Sequence, residues 1–315
     1  MSAENQTESV AAAKAIQAKK RFSGYRFLES LKDFGFAVPA LVFLLVFTYY
    51  PLMNSIYLSF TNWNMTRPVK SFVGFDNYAT LLTHEDFAQV LKVTFTYTVF
   101  DVFFTLIIGL GLAMLFNVQS RIFNFMRSIV FMPYYISMVI ASMVFLWIFN
   151  AEYGLANEIM KWVGLEPQNW LTNPDTVLST LITVSIWKGA GFAMLIFIAG
   201  IRSIPIDYYE ASSLDGASKL RQFWHITMPL LSPTTLFLVV TNFISSMQVF
   251  QSIDVMTNGG PLNASKAMVY WIYEIAFQDF RTGRASALVV IFFIIIILLT
   301  MLQFWVSKKR VHYEG

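Results

Sequence analysis

The sequence predicts an all-α integral membrane protein with six transmembrane helices. Three observations carry that expectation. Of the 315 residues, 56% are apolar and only 13% are charged, far from the balance of a soluble domain. Long uncharged stretches recur along the chain, and about 20 such residues at 1.5 Å each cross a hydrocarbon core of roughly 30 Å. Lysine and arginine also alternate in density from one connection to the next, as they do where one side of a membrane is cytoplasmic.

The first stretch, Phe34 to Thr66, holds no charge, and its core, Phe36 to Tyr57, spans even with Pro39 and Pro51 inside it. Val93 to Ser120 carries only Asp101, Ser128 to Ala151 carries no charge, and Thr176 to Ile201 carries only Lys188. Ile226 to Ile253 and Ala285 to Ser307 complete the set, and within the last, Val289 to Thr300 is apolar on every side, as a lipid-facing helix should be. Asp101 falls near the outer end of the second span, where snorkelling, structural and functional roles all stay open. Lys188 follows a tryptophan and precedes Gly189 and Gly191 near mid-span, which favours a lining or gating role.

Six spans put both termini on one side. Lys14, Lys19, Lys20, Arg21, Arg26, Lys32, Arg121, Arg127, Arg202, Lys219, Arg221, Lys308, Lys309 and Arg310 share that side, against seven basic residues in the alternate loops. Both termini are therefore expected in the cytoplasm. The first apolar run is too long for a signal peptide and lacks an evident cleavage site, so it reads as an uncleaved span. Residues Val10 to Phe34 fit either an amphipathic surface helix or a solvated tail. The chain divides into an N-terminal tail at 1–33, the first span and the start of an external loop at 34–66, a core at 90–307 and a C-terminal tail at 308–315.

Several chemistries are excluded. Cysteine is absent, and His84, His225 and His312 lie far apart, so neither a disulfide nor a Cys/His metal site is expected. There is no Gly-x-x-x-x-Gly-Lys-Ser/Thr phosphate loop, so the chain is not itself an ATPase. No nucleophile, paired-carboxylate or dinucleotide site is evident, so an enzyme is not expected.

One connection stands out. Residues 202–228 read as helix, turn, helix: Pro205 suits a first turn, Asp215-Gly216 is a turn signal, and Pro229 is expected to open the fifth span. Ile206, Tyr209, Leu214, Leu220, Phe223 and Trp224 give this hairpin more apolar surface than two short helices can bury. It must either fold back on the ends of the chain's own helices or dock on another protein.

The run Glu210-Ala211-Ser212-Ser213-Leu214-Asp215-Gly216-Ala217, continuing through Phe223, Ile226, Pro229 and Pro233, resembles the EAA loop of permease subunits of binding-protein-dependent ATP-binding-cassette importers. Ser212 stands where alanine is common, and Met228 where leucine commonly precedes the proline. Ile186-Trp187-Lys188, Met194 to Phe197, Ala199-Gly200-Ile201, Asn258-Gly259-Gly260-Pro261 and Tyr270 to Phe277 are similar to the carbohydrate-uptake branch, of the maltose and glycerol-phosphate importer type.

The resemblance implies a type I importer permease fold in a bacterial or archaeal cytoplasmic membrane. It also implies that Glu210, Ala211, Ser212, Asp215, Gly216 and Ala217 couple the chain to an ATPase, with Glu210 facing basic groups and Gly216 allowing the turn. The implied partners are a second permease subunit, two ATPase subunits that hold ATP and magnesium, an extracytoplasmic solute-binding protein and a carbohydrate-like solute. No cofactor is expected on this chain and no nucleic acid among its partners.

For the solute path the candidates are Lys188, Asn242, Ser245, Ser246, Gln248 and Ser252. The last five fall within about half the circumference of one helix at 100° per residue. They suit either hydrogen bonds between helices or a hydroxyl- and amide-lined sugar site with Phe243 and Phe250 as ring faces. An ion-coupled secondary transporter is the alternative function, although it has no need of the 210–233 segment.

Overall fold

The computed structural model describes residues 35–65 and 70–307. Expectations for the terminal tails and for the Val10–Phe34 segment lie outside the described residues. Two compact units meet between Tyr57 and Leu58. The first is represented by the greater part of α1 (Gly35–Ser59), which is long and apolar enough to span and includes a π-helical turn at Leu45–Tyr49.

The second unit begins with a small cap. Thr61 and Phe72 form an isolated antiparallel bridge, and the side-chain amide of Asn77, on α2 (Asp76–Leu82), donates to the Ser59 and Thr61 carbonyls, each at 2.8 Å. Apart from that bridge the described residues form helices, turns and loops, as the composition predicts.

The long helix α3 (Glu85–Phe116) starts where His84 Nδ1 accepts the Asp86 amide, with Glu85 and Asp86 placed at the positive end of the helix dipole. It ends where Arg127 donates to the Phe116 carbonyl at 2.8 Å and to the Val118 carbonyl at 2.5 Å. This helix packs along α7 (Val177–Ser203). The approach is close because small residues face each other: a Cβ on Gly109 would lie 2.6 Å from that of Ala193.

Two expected spans are broken. The third is α4 (Arg121–Phe131), a 3-10 turn at Met132–Tyr135, and α5 (Met138–Ile148), with a bend of 98° between its halves. Pro133 removes a ladder donor, and Ile136 and Ser137 leave helical geometry with ψ of 133° and 136°. The fifth does not open at Pro229 as expected. Instead α8 (Ile206–Leu214) is followed by α9 (Lys219–Leu230), which carries Pro229 beyond a π-helical turn at Phe223–Thr227. The break comes at Leu231, just before Pro233, with a bend of 62° into α10 (Ser232–Met247).

A further irregular stretch, Gln248 to Phe250, separates α10 from α11 (Gln251–Met256), so the expected single helix to Ile253 is three pieces. The last span, α12 (Thr282–Ser307), is continuous. Among the described residues, four continuous helices plus two bent pairs give up to six crossings. Among the described residues of the second unit, apolar side chains gather into three clusters: one around Leu81, Met247, Trp271 and Leu288, one around Tyr97, Leu181, Ile253 and Tyr270, and one around Ala193, Phe197, Leu231 and Leu238.

Candidate functional site

Two regions carry the sequence candidates. The first is the hairpin of α8 and α9. Between its arms Gly216 adopts φ of 76°, the left-handed geometry glycine takes without steric cost. The Ala217 amide closes back on the Ser212 carbonyl at 2.9 Å, and the Ser218 hydroxyl caps the second arm. Side chains then lock the arms together. The Gln222 amide donates to the hydroxyl oxygens of Ser212 and Ser213, each at 2.9 Å, while both hydroxyls donate to the Tyr209 carbonyl. Tyr209 also bonds Thr227 at 2.9 Å.

Ser212 thus stands where the motif commonly has alanine and gives the hairpin one of its cross-links. The inner face of the hairpin, through Tyr209, Ile226 and Leu230, packs on the cluster around Phe197 and Leu231. The outer face does not fold back. Leu214 is 90% exposed, and Ile206, Leu220 and Trp224 are exposed with it. Glu210 is exposed as well and makes no ion pair among the described residues. Beneath the hairpin lies a cavity of about 530 Å³, lined in part by Arg202, Lys219 and Gln222.

The second region is a cavity of about 470 Å³ among α3, α7, α10 and the bent third span. Lys188, Asn242, Ser245, Ser246, Gln248 and Ser252 all line it. They meet there even though Gln248 and Ser252 lie beyond the end of α10: the turn at 248–250 delivers them where an unbroken helix was expected to. Phe243 and Phe250 do not line it. Phe243 is buried in the cluster around Leu288, and Phe250 packs on Tyr270 and Tyr273. The cavity's aromatic surface comes from Tyr97, Tyr134, Phe192 and Phe237, with Tyr134 and Phe192 stacked at 4.8 Å.

Asp101 also belongs to this wall, and its position corrects the sequence reading. The helix starts at Glu85, so Asp101 sits mid-helix with 5% exposure and cannot snorkel. Its carboxylate accepts the Ser246 hydroxyl from α10 and, at 3.4 Å, the Thr105 hydroxyl one turn along its own helix. No ion pair joins it to Lys188 among the described residues. The lysine instead donates to the main-chain carbonyls of Pro133 at 3.3 Å, Tyr134 at 2.9 Å and Ile136. These carbonyls lie at the 98° bend, where the Pro133 oxygen also accepts the Ile136 amide at 3.1 Å, and a cation there opposes the negative end of the helix dipole.

Asn157 was missed by sequence reasoning. It is buried in the loop after α5, on α6 (Leu155–Trp162), and its amide donates to the Ala151 and Gln168 carbonyls while its oxygen accepts Gln168 N–H and Trp170 Nε1. One side chain with all four hydrogen bonds made pins the whole loop. No spacing rule marks such a residue.

Residues 105–312 match the family described as binding-protein-dependent transport system inner membrane component. The chain is 35% identical over 272 residues to a probable ABC transporter permease protein, YurN, of Bacillus subtilis, covering 85% of this chain and 93% of that one. It is 31% identical over 246 residues to the trehalose/maltose transport system permease protein MalF of Thermococcus litoralis, covering 78% and 83%. Among solved structures, a chain of a bacterial ABC transporter involved in the import of the acidic polysaccharide alginate superposes with a TM-score of 0.79 at 25% identity, covering 90% of this chain and 99% of that one.

Proposed function

The chain belongs to the family of binding-protein-dependent transport system inner membrane components, and from that premise we propose that it lines one half of the translocation path of an ATP-driven carbohydrate importer. A second permease subunit supplies the other half, two ATPase subunits supply the energy, and a solute-binding protein delivers the cargo. The bilayer surrounds the spans, with both termini on the ATPase side.

The observation that carries this reading is the hairpin. Its arms are fixed to each other by Gln222 and by the Tyr209–Thr227 hydrogen bond, and to the helix bundle by the packing of Tyr209, Ile226 and Leu230, while Leu214, Leu220 and Trp224 stay bare at the outer edge. A rigid element with an uncovered apolar tip is what a motor subunit can grip and move as a lever. Glu210, Ala211, Ser212, Asp215, Gly216 and Ala217 form that handle. An ion-coupled carrier would leave it without a task. ATP and magnesium stay with the motor.

The cavity lined by Lys188, Asn242, Ser245, Ser246, Gln248 and Ser252 is the solute path of this half. Hydroxyl and amide groups beside the stacked Tyr134 and Phe192 rings suit a solute with hydroxyl edges and apolar ring faces.

Reconstitution in vesicles tests the proposal: solute uptake is expected to require ATP and the binding protein together. Uptake that survives removal of either overturns it. The topology is tested separately. Cysteine is absent, so a single cysteine introduced at Leu214 or at Leu262 reports without background to a membrane-impermeant maleimide. Labelling of Leu214→Cys from outside intact cells would place the handle on the wrong face.

A further inference from the structure

We propose that the cavity beneath the hairpin holds the phosphate headgroup of an anionic phospholipid, and that this lipid ties the hairpin to the ends of the membrane helices. Its effect on coupling rests on the importer reading above, whereas its binding does not.

The cavity of about 530 Å³ takes one cation from each of the two parts it separates. Arg202 stands in the last turn of α7, and Lys219 opens the second arm of the hairpin, α9. Arg202 is aimed by its Nε, which donates at 3.1 Å to Asn117 Oδ1, one residue past the end of α3. A guanidinium carries five N–H donors and an ammonium three. Among the described residues, the Nη groups of Arg202 and the ammonium of Lys219 have no hydrogen-bond or ion-pair partner. No Asp or Glu lines the cavity, and the hairpin's Asp207, Glu210 and Asp215 pair with neither cation among the described residues. Gln222, Tyr209 and Thr227 are already bonded within the hairpin. Two positive charges therefore face one space with no negative charge to offset them. Phosphate oxygens fill that need, accepting from Lys as a point charge and from Arg in bidentate form.

Position and wall chemistry favour a lipid over free phosphate. Arg202 and Asn117 mark the ends of two membrane helices, the level at which headgroups sit, and basic pockets between helices at that level bind anionic headgroups. Met114, Ile201, Ile204, Ile206 and Phe223 set an apolar wall beside the cations. Free phosphate gains nothing from such a wall, whereas the upper acyl carbons of a lipid bury against it. Arg221, two residues beyond Lys219, does not line the cavity, so a built site is separable from a general density of positive charge.

The test reconstitutes the complete importer in phosphatidylcholine vesicles with and without phosphatidylglycerol, extracts it in mild detergent and measures retained lipid by mass spectrometry. Phosphatidylglycerol is expected to be retained in preference to phosphatidylcholine, and the Arg202→Gln/Lys219→Gln protein is expected to retain about tenfold less of it. Lys219→Gln alone, at an exposed position, is expected to show part of that loss, and Arg221→Gln none. Uptake per ATP hydrolysed is expected to fall in phosphatidylcholine alone and in the double variant. Undiminished retention in the double variant overturns the site, and so does an equal loss in Arg221→Gln, which marks diffuse surface attraction. If inorganic phosphate added to phosphatidylcholine vesicles raises the melting temperature as much as phosphatidylglycerol does, the ligand is a soluble anion and the lipid is overturned. Loss of the ATPase from the double variant with lipid retention intact gives the two cations to the motor instead. Retention is read without transport, so uptake that proves independent of ATP strikes the importer reading and leaves the lipid site standing.

Discussion

The side-chain amide nitrogen of Gln222 lies 2.9 Å from the Ser212 hydroxyl oxygen, across the turn that separates α8 from α9. The same amide reaches Ser213 at the same distance, so the two arms of the hairpin are joined by side chains as well as by backbone. A lever transmits force only if its arms do not flex independently.

Gln222→Ala removes the donor that serves both serines, and each such bond contributes about 1 kcal/mol. Faster amide exchange over Ile206–Leu214 and weaker coupling between ATP hydrolysis and uptake are expected. Ser212→Ala alone should have a small effect, because Ser213 still accepts. Equal loss in both variants would argue that Ser212 acts by some route other than this bond.

Glu210→Lys and Gly216→Pro are expected to leave the protein in the membrane while the ATPase no longer co-purifies or its activity no longer drives uptake. Proline cannot adopt the φ of 76° that Gly216 holds, so the turn must rebuild. Glu210 is exposed and unpaired among the described residues, so reversing its charge should not disturb the fold. Normal ATPase yield and normal uptake in both variants would remove the hairpin's assigned role.

Gly191→Val tests how α7 holds the bent span. A Cβ at Gly191 would stand 2.2 Å from the Val130 carbonyl oxygen and 2.8 Å from the Phe131 Cα, and backbone cannot step aside as a side chain can. Overpacking of this kind costs about 1–3 kcal/mol or more. A lowered melting temperature in detergent is expected, together with loss of solute binding, since the shift would carry the Pro133 and Tyr134 carbonyls away from Lys188.

Asn157→Leu fills similar volume but strands two carbonyls, an amide and an indole N–H that the asparagine now serves. Each buried group left without a partner costs about 1–3 kcal/mol. Limited proteolysis should cut between Phe149 and Thr176 much faster than in the wild type, with cleavage elsewhere unaltered.

Hydrophobic length and turn chemistry reveal much of this protein. Gly216 was readable as the turn because a glycine after aspartate between two helical patterns has few other uses. The polar residues of α10 were readable because their spacing keeps them on one face. The breaks at Pro133 and Leu231 were not, since proline inside a membrane helix is compatible with a straight span, a kink or a full bend, and neighbouring helices decide which. Lys188 shows the limit most clearly. Its partners are main-chain carbonyls, which every residue possesses, so no side-chain pattern could point to them. Asp101 was misplaced for a simpler reason: the helix continues outward through the polar segment Glu85–Lys92, which no hydropathy threshold includes.

The uncovered leucines and tryptophan of the hairpin also bear on how the cell must make this protein. A copy synthesised without its mate would hold a greasy knob out in water, inviting chaperones, self-association and quality-control proteases. Its abundance should therefore follow the supply of whatever caps that knob, and over-production of the lone polypeptide should yield mostly degraded or aggregated material.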